Sequence, residues 1–233
     1  MGFSDRYESV LAEVAACCRL AGRDPREVRV VAVSKTVGLP EVGQAVRAGA
    51  LDFGENRPDM LMEKARAFPE ARWHFIGNVQ SRRIPDIVAH ACLVHSLCRE
   101  RHLPKVDAAA RKLGKVQDVL LEVNVSGEES KSGFEPAEVA DVLARCSELS
   151  FVRVRGLMTM AAQGDLAAAR ECFEGLAGLR DDLRRRMGAD RAAAFDELSM
   201  GMSEDWREAV GAGATIVRIG RALFDEQFGA TRA

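Results

Sequence analysis

Hydrophobic and polar positions follow two rhythms along this chain. Short runs rich in β-branched residues alternate with longer stretches in which apolar residues recur every three or four positions. Eight strand-like runs stand out: Arg29–Ser34, Leu51–Gly54, Arg72–Ile76, Ala91–Leu97, Val119–Val125, Val152–Met160, Glu197–Met200 and Thr215–Gly220. Between them lie Ala-, Leu- and charge-rich segments with helical spacing, Glu135–Cys146 and Leu166–Met187 among them. An additional helix precedes the first strand. Its apolar face carries Tyr7, Val10, Leu11, Val14, Cys18 and Ala21, and Gly22 and Pro25 end it.

Strict alternation of strand and helix predicts parallel strands joined by helical crossovers. Eight such units in 233 residues suit an α/β chain closed into one (β/α)8 TIM-type barrel over residues 1–233, with a doubly wound open sheet as the alternative. The polar residues favour the barrel. Lys35, Glu55, Asn56, Asn78, Ser96, Asn124, Ser199 and Arg218 all fall at or just past the C-terminal end of a run. Barrel sites are assembled there from several strands, whereas an open sheet gathers such groups at one switch point.

Composition narrows the function classes. The chain is 47% hydrophobic, and its formal net charge is −2 with both signs interspersed. That balance argues against a nucleic-acid groove or an anionic membrane surface, and Arg184-Arg185-Arg186 reads as a solvated helix face. Asp5, Arg6, Glu8 and Glu13 interrupt any signal-like apolar run, and no apolar stretch is long enough to cross a bilayer. Gly2 follows Met1, but Arg6 stands where a myristoylation motif wants Ser or Thr. A soluble, cytoplasmic protein is expected. Its six cysteines form no Cys-x-x-Cys pair and read as reduced, mostly buried hydrophobes. Cys92, His95, Cys98 and His102 lie close in sequence but lack a zinc-finger spacing, so no metal is expected there.

Two features carry chemistry. Alternation along the first strand puts Val31, Val33 and Lys35 on one face. If that face points inward, the ammonium is partly desolvated, its pKa falls, and the amine can condense with an aldehyde. An isolated strand-end lysine more often points to water. The second feature is a phosphate cup formed by Ser199-Met200-Gly201-Met202-Ser203 and Arg218-Ile219-Gly220-Arg221, at the ends of the seventh and eighth strands. Gly201 and Gly220 allow backbone N–H groups to approach phosphate oxygens closely. Ser203, followed by two acids, also reads as an ordinary helix N-cap. Together, a lysine on the first strand and a cup on the last two describe a site for pyridoxal 5′-phosphate (PLP).

Longer motifs then make a family resemblance specific. Val31-Ala32-Val33-Ser34-Lys35-Thr36 resembles the lysine strand of the pyridoxal phosphate homeostasis protein family. So do Phe53-Gly54-Glu55-Asn56-Arg57, Trp73-His74-Phe75-Ile76-Gly77-Asn78, Asn124-Val125-Ser126 with Ser130-Lys131-Ser132-Gly133, and Arg155-Gly156-Leu157-Met158. Leu198-Ser199-Met200-Gly201-Met202-Ser203 and Val217-Arg218-Ile219-Gly220 complete the set, in order, over nearly the whole chain.

The resemblance implies a barrel like the N-terminal domain of alanine racemase, holding PLP as a Schiff base without established turnover. Carried across, Lys35 bonds the cofactor, Arg218 faces its pyridine nitrogen, and Asn56 and Met158 line the ring. Ser199 and the backbones of Gly201, Gly220 and Arg221 hold the phosphate. The implied role is to buffer PLP or deliver it to PLP-dependent apo-enzymes, as a monomer. Two departures stand out: Arg221 replaces a Thr or Ser of the family, and Pro58-Asp59 replaces an apolar residue and Gln, which leaves the start of the second helix after the barrel opens in doubt.

The rival reading is a PLP-dependent amino-acid racemase, and a plain protein–protein module with a vestigial site is a third. Racemisation needs a second acid/base opposite the lysine, but the only tyrosine is Tyr7, and no tyrosine-bearing domain follows Phe228. His74 stays open between a hydrogen bond within the site and a polar gap beneath it.

Overall fold

The computed structural model describes residues 2–128, 131–162 and 164–228; Met1 and Ser130, both named above, lie outside them with 129, 163 and 229–233. Eight strands, β1 (Arg29–Val33), β2 (Asp52–Glu55), β3 (Arg72–Phe75), β4 (Leu93–Leu97), β5 (Gln117–Glu122), β6 (Val152–Met158), β7 (Glu197–Ser199) and β8 (Ile216–Ile219), pair in sequence order. Every pair is parallel, and β8 returns to β1, which closes the barrel expected from the sequence. The helix α1 (Phe3–Leu20) precedes the barrel, and α2 (Leu39–Arg47), α3 (Pro58–Ala67), α4 (Ile84–His90), α5 (Leu103–Lys112) and α6 (Val139–Cys146) follow β1, β2, β3, β4 and β5 in turn. Two helices, α7 (Leu166–Arg186) and α8 (Ala189–Ala194), link β6 to β7; α9 (Trp206–Gly211) and the short α10 (Arg221–Phe224) complete the ring.

Alternation along each strand separates two cores. Val31, Leu93, Leu120, Met158 and Ile216 pack against one another inside the barrel. The intervening residues, such as Val30, Ala32, Val94 and Val217, join the larger core beneath the helices. α1 buries Phe3, Tyr7, Val10, Val14 and Cys18, close to the face read from the sequence, while Leu11 stays 40% exposed. The Phe3 and Phe224 rings, 4.9 Å apart, tie α1 to α10.

Strand ends differ from the periodicity where backbone groups find other partners. The ladder of β5 stops at Glu122, because Asn124 N–H donates to the Phe134 carbonyl at 3.0 Å instead. β4 starts at Leu93, since the Ala91 amide still belongs to the preceding helix and donates to Ile87 O at 2.8 Å. Pro58 opens α3 at its first position, where the missing N–H costs nothing. No described helix is long and apolar enough to cross a membrane.

Candidate functional site

The C-terminal ends of the strands form the mouth of the barrel. At β1 the ladder ends at Val33, and the chain turns at once, closed by Val37 N–H donating to Ser34 O at 3.1 Å. Lys35 sits in that turn and is exposed, not tucked into the interior as the inward face of β1 suggested. The turn itself is fixed from below. The Lys64 ammonium, fully buried on α3, donates to Ser34 O and Val37 O at 2.8 Å each and to Glu55 Oε1 at 2.5 Å. Ser34 Oγ donates to the same carboxylate oxygen at 2.8 Å. A buried ion pair of this kind costs desolvation, and here three further hydrogen bonds offset part of that cost, while Glu55 Oε2 is buried without a partner. The interior lysine of this region is therefore Lys64, and its work is to hold the turn that presents Lys35. Lys64 lies three residues after the buried Leu61, so a charged residue on an apolar helical face was the signal available in the sequence.

Arg218 lies on β8, paired in register with Val31 of the neighbouring β1, and is 4% exposed. Its Nη1 donates to Ser199 Oγ at 2.6 Å and its Nη2 to the Thr159 carbonyl at 3.1 Å. A guanidinium has more donors than these two, so it retains capacity for another acceptor. Burial pushes Arg218 down to about 10, while Asp205 and Glu122 favour its charge. Glu122, at the end of β5, is raised by burial in spite of the attraction of Arg218.

The cup after β7 and β8 differs in one residue from the sequence reading. Ser199 is fully buried inside the barrel, and its hydroxyl lies between Arg218 and His95, whose Nδ1 is 2.8 Å away. The serine at the cup is Ser203. Its oxygen accepts from Gly220 N–H at 3.2 Å and Ala222 N–H at 3.3 Å, which leaves its own O–H free to donate. Nor is Ser203 the N-cap of α9; Asp205 takes that position and accepts from Met202 N–H at 2.6 Å. Gly201 has φ +89°, and a Cβ there would lie 2.6 Å from Ala209 Cβ, so only glycine makes this turn. A Cβ at Gly220 would come within 3.2 Å of Val33 O, which binds the cup closely to the end of β1. The Arg221 side chain turns outward to Glu204, 3.1 Å away, and to the Phe228 ring.

Met158 ends β6 inside the barrel, whereas Asn56 lies exposed at the rim just past β2. His74 proves to be beneath the mouth, not in it. Its Nε2 lies 3.0 Å from Asp52 Oδ1 and its Nδ1 2.9 Å from His95 Nε2. The four residues considered for a metal diverge: Cys92 is exposed, Cys98 is half-buried, and His95 and His102 are buried. Among the described residues, no group of three or more metal-ligating side chains is gathered.

Residues 11–227 match the family model described as alanine racemase, N-terminal domain. The pyridoxal phosphate homeostasis protein of Aquifex aeolicus is 36% identical over 97% of this chain and 99% of its own. That of Pseudomonas aeruginosa is 37% identical over 95% and 94%. The chain belongs to the pyridoxal phosphate homeostasis protein family. PipY of Synechococcus elongatus, solved with PLP bound, superimposes with a TM-score of 0.79 at 32% identity, over 92% of this chain and 99% of that one. For a member of the pyridoxal phosphate homeostasis protein family, the mouth offers a fitting donor set: an exposed amine, a buried guanidinium with donor capacity, and a serine hydroxyl between two glycine turns.

Proposed function

We propose that this protein binds PLP covalently at Lys35 and keeps it in a form that can be passed on, so that it buffers cellular PLP and supplies PLP-dependent apo-enzymes without efficient turnover of its own. PLP brings an aldehyde and an electron-withdrawing ring. Lys35 would hold the cofactor through that aldehyde, its amine condensing with loss of water. Arg218, Met158 and Asn56 would line the ring, and Arg218, a pure donor, would favour an unprotonated ring nitrogen. The Ser203 hydroxyl and the backbone around Gly201, Gly220 and Arg221 would hold the phosphate, with Ser203 in the place that the family resemblance gives to Ser199.

The observation that carries this reading is the buried Arg218 guanidinium, only partly satisfied by protein acceptors, on the strand next to the one that ends at Lys35. The carrier role draws support from Tyr7, the chain's only tyrosine. It packs on Phe3 in α1, with ring centroids 5.7 Å apart, and so leaves the mouth without a tyrosine acid.

Borohydride reduction of the PLP-loaded protein, followed by peptide mass spectrometry, tests the assignment. The expected result is one reduced adduct on Lys35, absent from Lys35→Ala. An adduct on another lysine, or none, overturns it. A chiral assay with alanine is expected to show conversion far below the typical enzyme rate of about 10 per second.

A further inference from the structure

A continuous line of buried side chains crosses the barrel interior from its floor to its mouth. Asp52 Oδ1 lies 3.0 Å from His74 Nε2, His74 Nδ1 2.9 Å from His95 Nε2, His95 Nδ1 2.8 Å from Ser199 Oγ, and Ser199 Oγ 2.6 Å from Arg218 Nη1. His74, His95, Ser199 and Arg218 are each no more than 4% exposed. Structural stability alone does not call for two imidazoles in series inside a hydrophobic barrel. We infer that Asp52, His74, His95 and Ser199 form a proton relay that stores one proton on His74 and hands it on, through His95 and Ser199, to the interior beside Arg218.

The inference follows from counting donors and acceptors. Arg218 only donates, so it occupies one lone pair of Ser199 Oγ. Asp52, ionised, only accepts, so His74 Nε2 must carry a proton in every low-energy state. Two arrangements satisfy these constraints. In the first, both imidazoles are neutral: Ser199 O–H donates to His95 Nδ1, and His95 Nε2–H donates to His74 Nδ1. In the second, His74 is protonated on both nitrogens, His74 Nδ1–H donates to His95 Nε2, and His95 Nδ1–H donates to Ser199 Oγ. The two differ by one proton. Since Asp52 pins the Nε2 proton, the mobile proton of His74 is the one on Nδ1, and along the buried line it passes first to His95. That proton passes to His95 Nε2, the His95 Nδ1 proton passes to Ser199, and Ser199 gives up its own to an acceptor beside Arg218, which the side chains of the described residues do not supply and a bound group would. Uptake runs the same steps in reverse.

The surroundings favour charge on His74 and not on His95. His74 is faced by Asp52 from β2, by Cys92 and His95 from β4 and the residue before it, and by Arg72, which pairs with Asp52, from its own strand. Burial alone would depress His74, but Asp52 and Cys92 outweigh it and leave it raised. His95 is held well below the ordinary range by burial first, and then by His74, Arg218 of β8 and Arg29 of β1. Asp52 itself stays ionised: burial would raise it, but Arg72 and His74 hold it at about 2.

The link to the cofactor rests on the reading that the PLP ring faces Arg218; the relay itself does not. Imidazole 15N spectra of the cofactor-free protein, recorded across pH, are the test. Expected is a single transition in which His74 goes from neutral to imidazolium as pH falls, while His95 stays neutral and exchanges its Nε2–H tautomer for Nδ1–H. A His95 that keeps one tautomer through the His74 transition, or that takes the charge itself, overturns the relay. Asp52→Asn keeps an acceptor but removes the charge, and should lower the midpoint by about one to three pH units. An unmoved midpoint also overturns it. With PLP loaded, the cofactor's absorbance should show a step at the same midpoint. If PLP fails to form the Lys35 adduct, the functional reading falls while the spectra of the cofactor-free protein still decide the relay.

Discussion

The two ends of the barrel both carry charged groups and use them in opposite ways. At the floor, charges are spent on one another. Arg72 makes a bidentate pair with Asp52 at 2.7 and 2.5 Å, Arg153 does the same with Asp118 at 2.6 and 2.9 Å, and Arg29 reaches Glu197 at 3.4 Å. At the mouth, capacity is left over: Lys35 stands exposed, Arg218 spends two donors, and Ser203 keeps its O–H. An end whose polar groups are mutually satisfied serves stability. An end with buried donors unspent is prepared for something that accepts.

The largest expected effect tests the buried ion pair beneath the mouth. Lys64→Met strands the Glu55 carboxylate in a fully buried position and should destabilise the protein by about 3–5 kcal/mol in urea unfolding. The double variant Glu55→Gln with Lys64→Met should recover much of that loss. A single variant as stable as the parent would mean that this pair is not the anchor of the Lys35 turn. Next in size, Arg218→Gln should weaken PLP binding by about 1.5–3 kcal/mol in a spectroscopic titration, with a smaller change in unfolding free energy. The reverse pattern would make Arg218 a floor-like structural residue and erase the contrast.

The smallest effect belongs to the floor and depends on pH. Asp52 is held at about 2, below its ordinary 3.8. Its stabilisation is therefore complete above the ordinary value and is lost as pH falls through about 2. Part of the gain is screened, because its partner Arg72 is 56% exposed, so about 1–2 kcal/mol is expected. Urea midpoints for the parent and Asp52→Asn should converge between pH 5 and pH 2, and PLP affinity at neutral pH should differ little. A large affinity loss in Asp52→Asn would show that the floor and the mouth are coupled more tightly than their ion pairs suggest.

Much of this contrast was legible before any coordinates. The two rhythms marked all eight strands, and the polar residues at their C-terminal ends picked out the mouth. The lysine strand and both glycine turns were readable as motifs. What escaped was the pairing of side chains across strands, which no local pattern encodes. Ser199 and Ser203 are equivalent in a motif, and only their neighbours on β4 and β8 separate them. His74 and His95 share the inward parity of adjacent strands, so alternation could have suggested that they meet, but not that Asp52 and Ser199 extend the line. The exposure of Lys35 was one of two open readings, because alternation says nothing about where a ladder stops.

On the proposed reading, the clamp beneath β1 also bears on selectivity between two amines. Aldehydes react with free lysine amines with little discrimination, and Lys64 approaches the same turn that carries Lys35. An ammonium has three hydrogens, and those of Lys64 are directed at Ser34 O, Val37 O and Glu55 Oε1. Held this way, its nitrogen has no lone pair to offer. The bonds that hold Lys64 also keep the Lys35 turn in place, so an aldehyde bound as proposed would meet a single free amine at this turn.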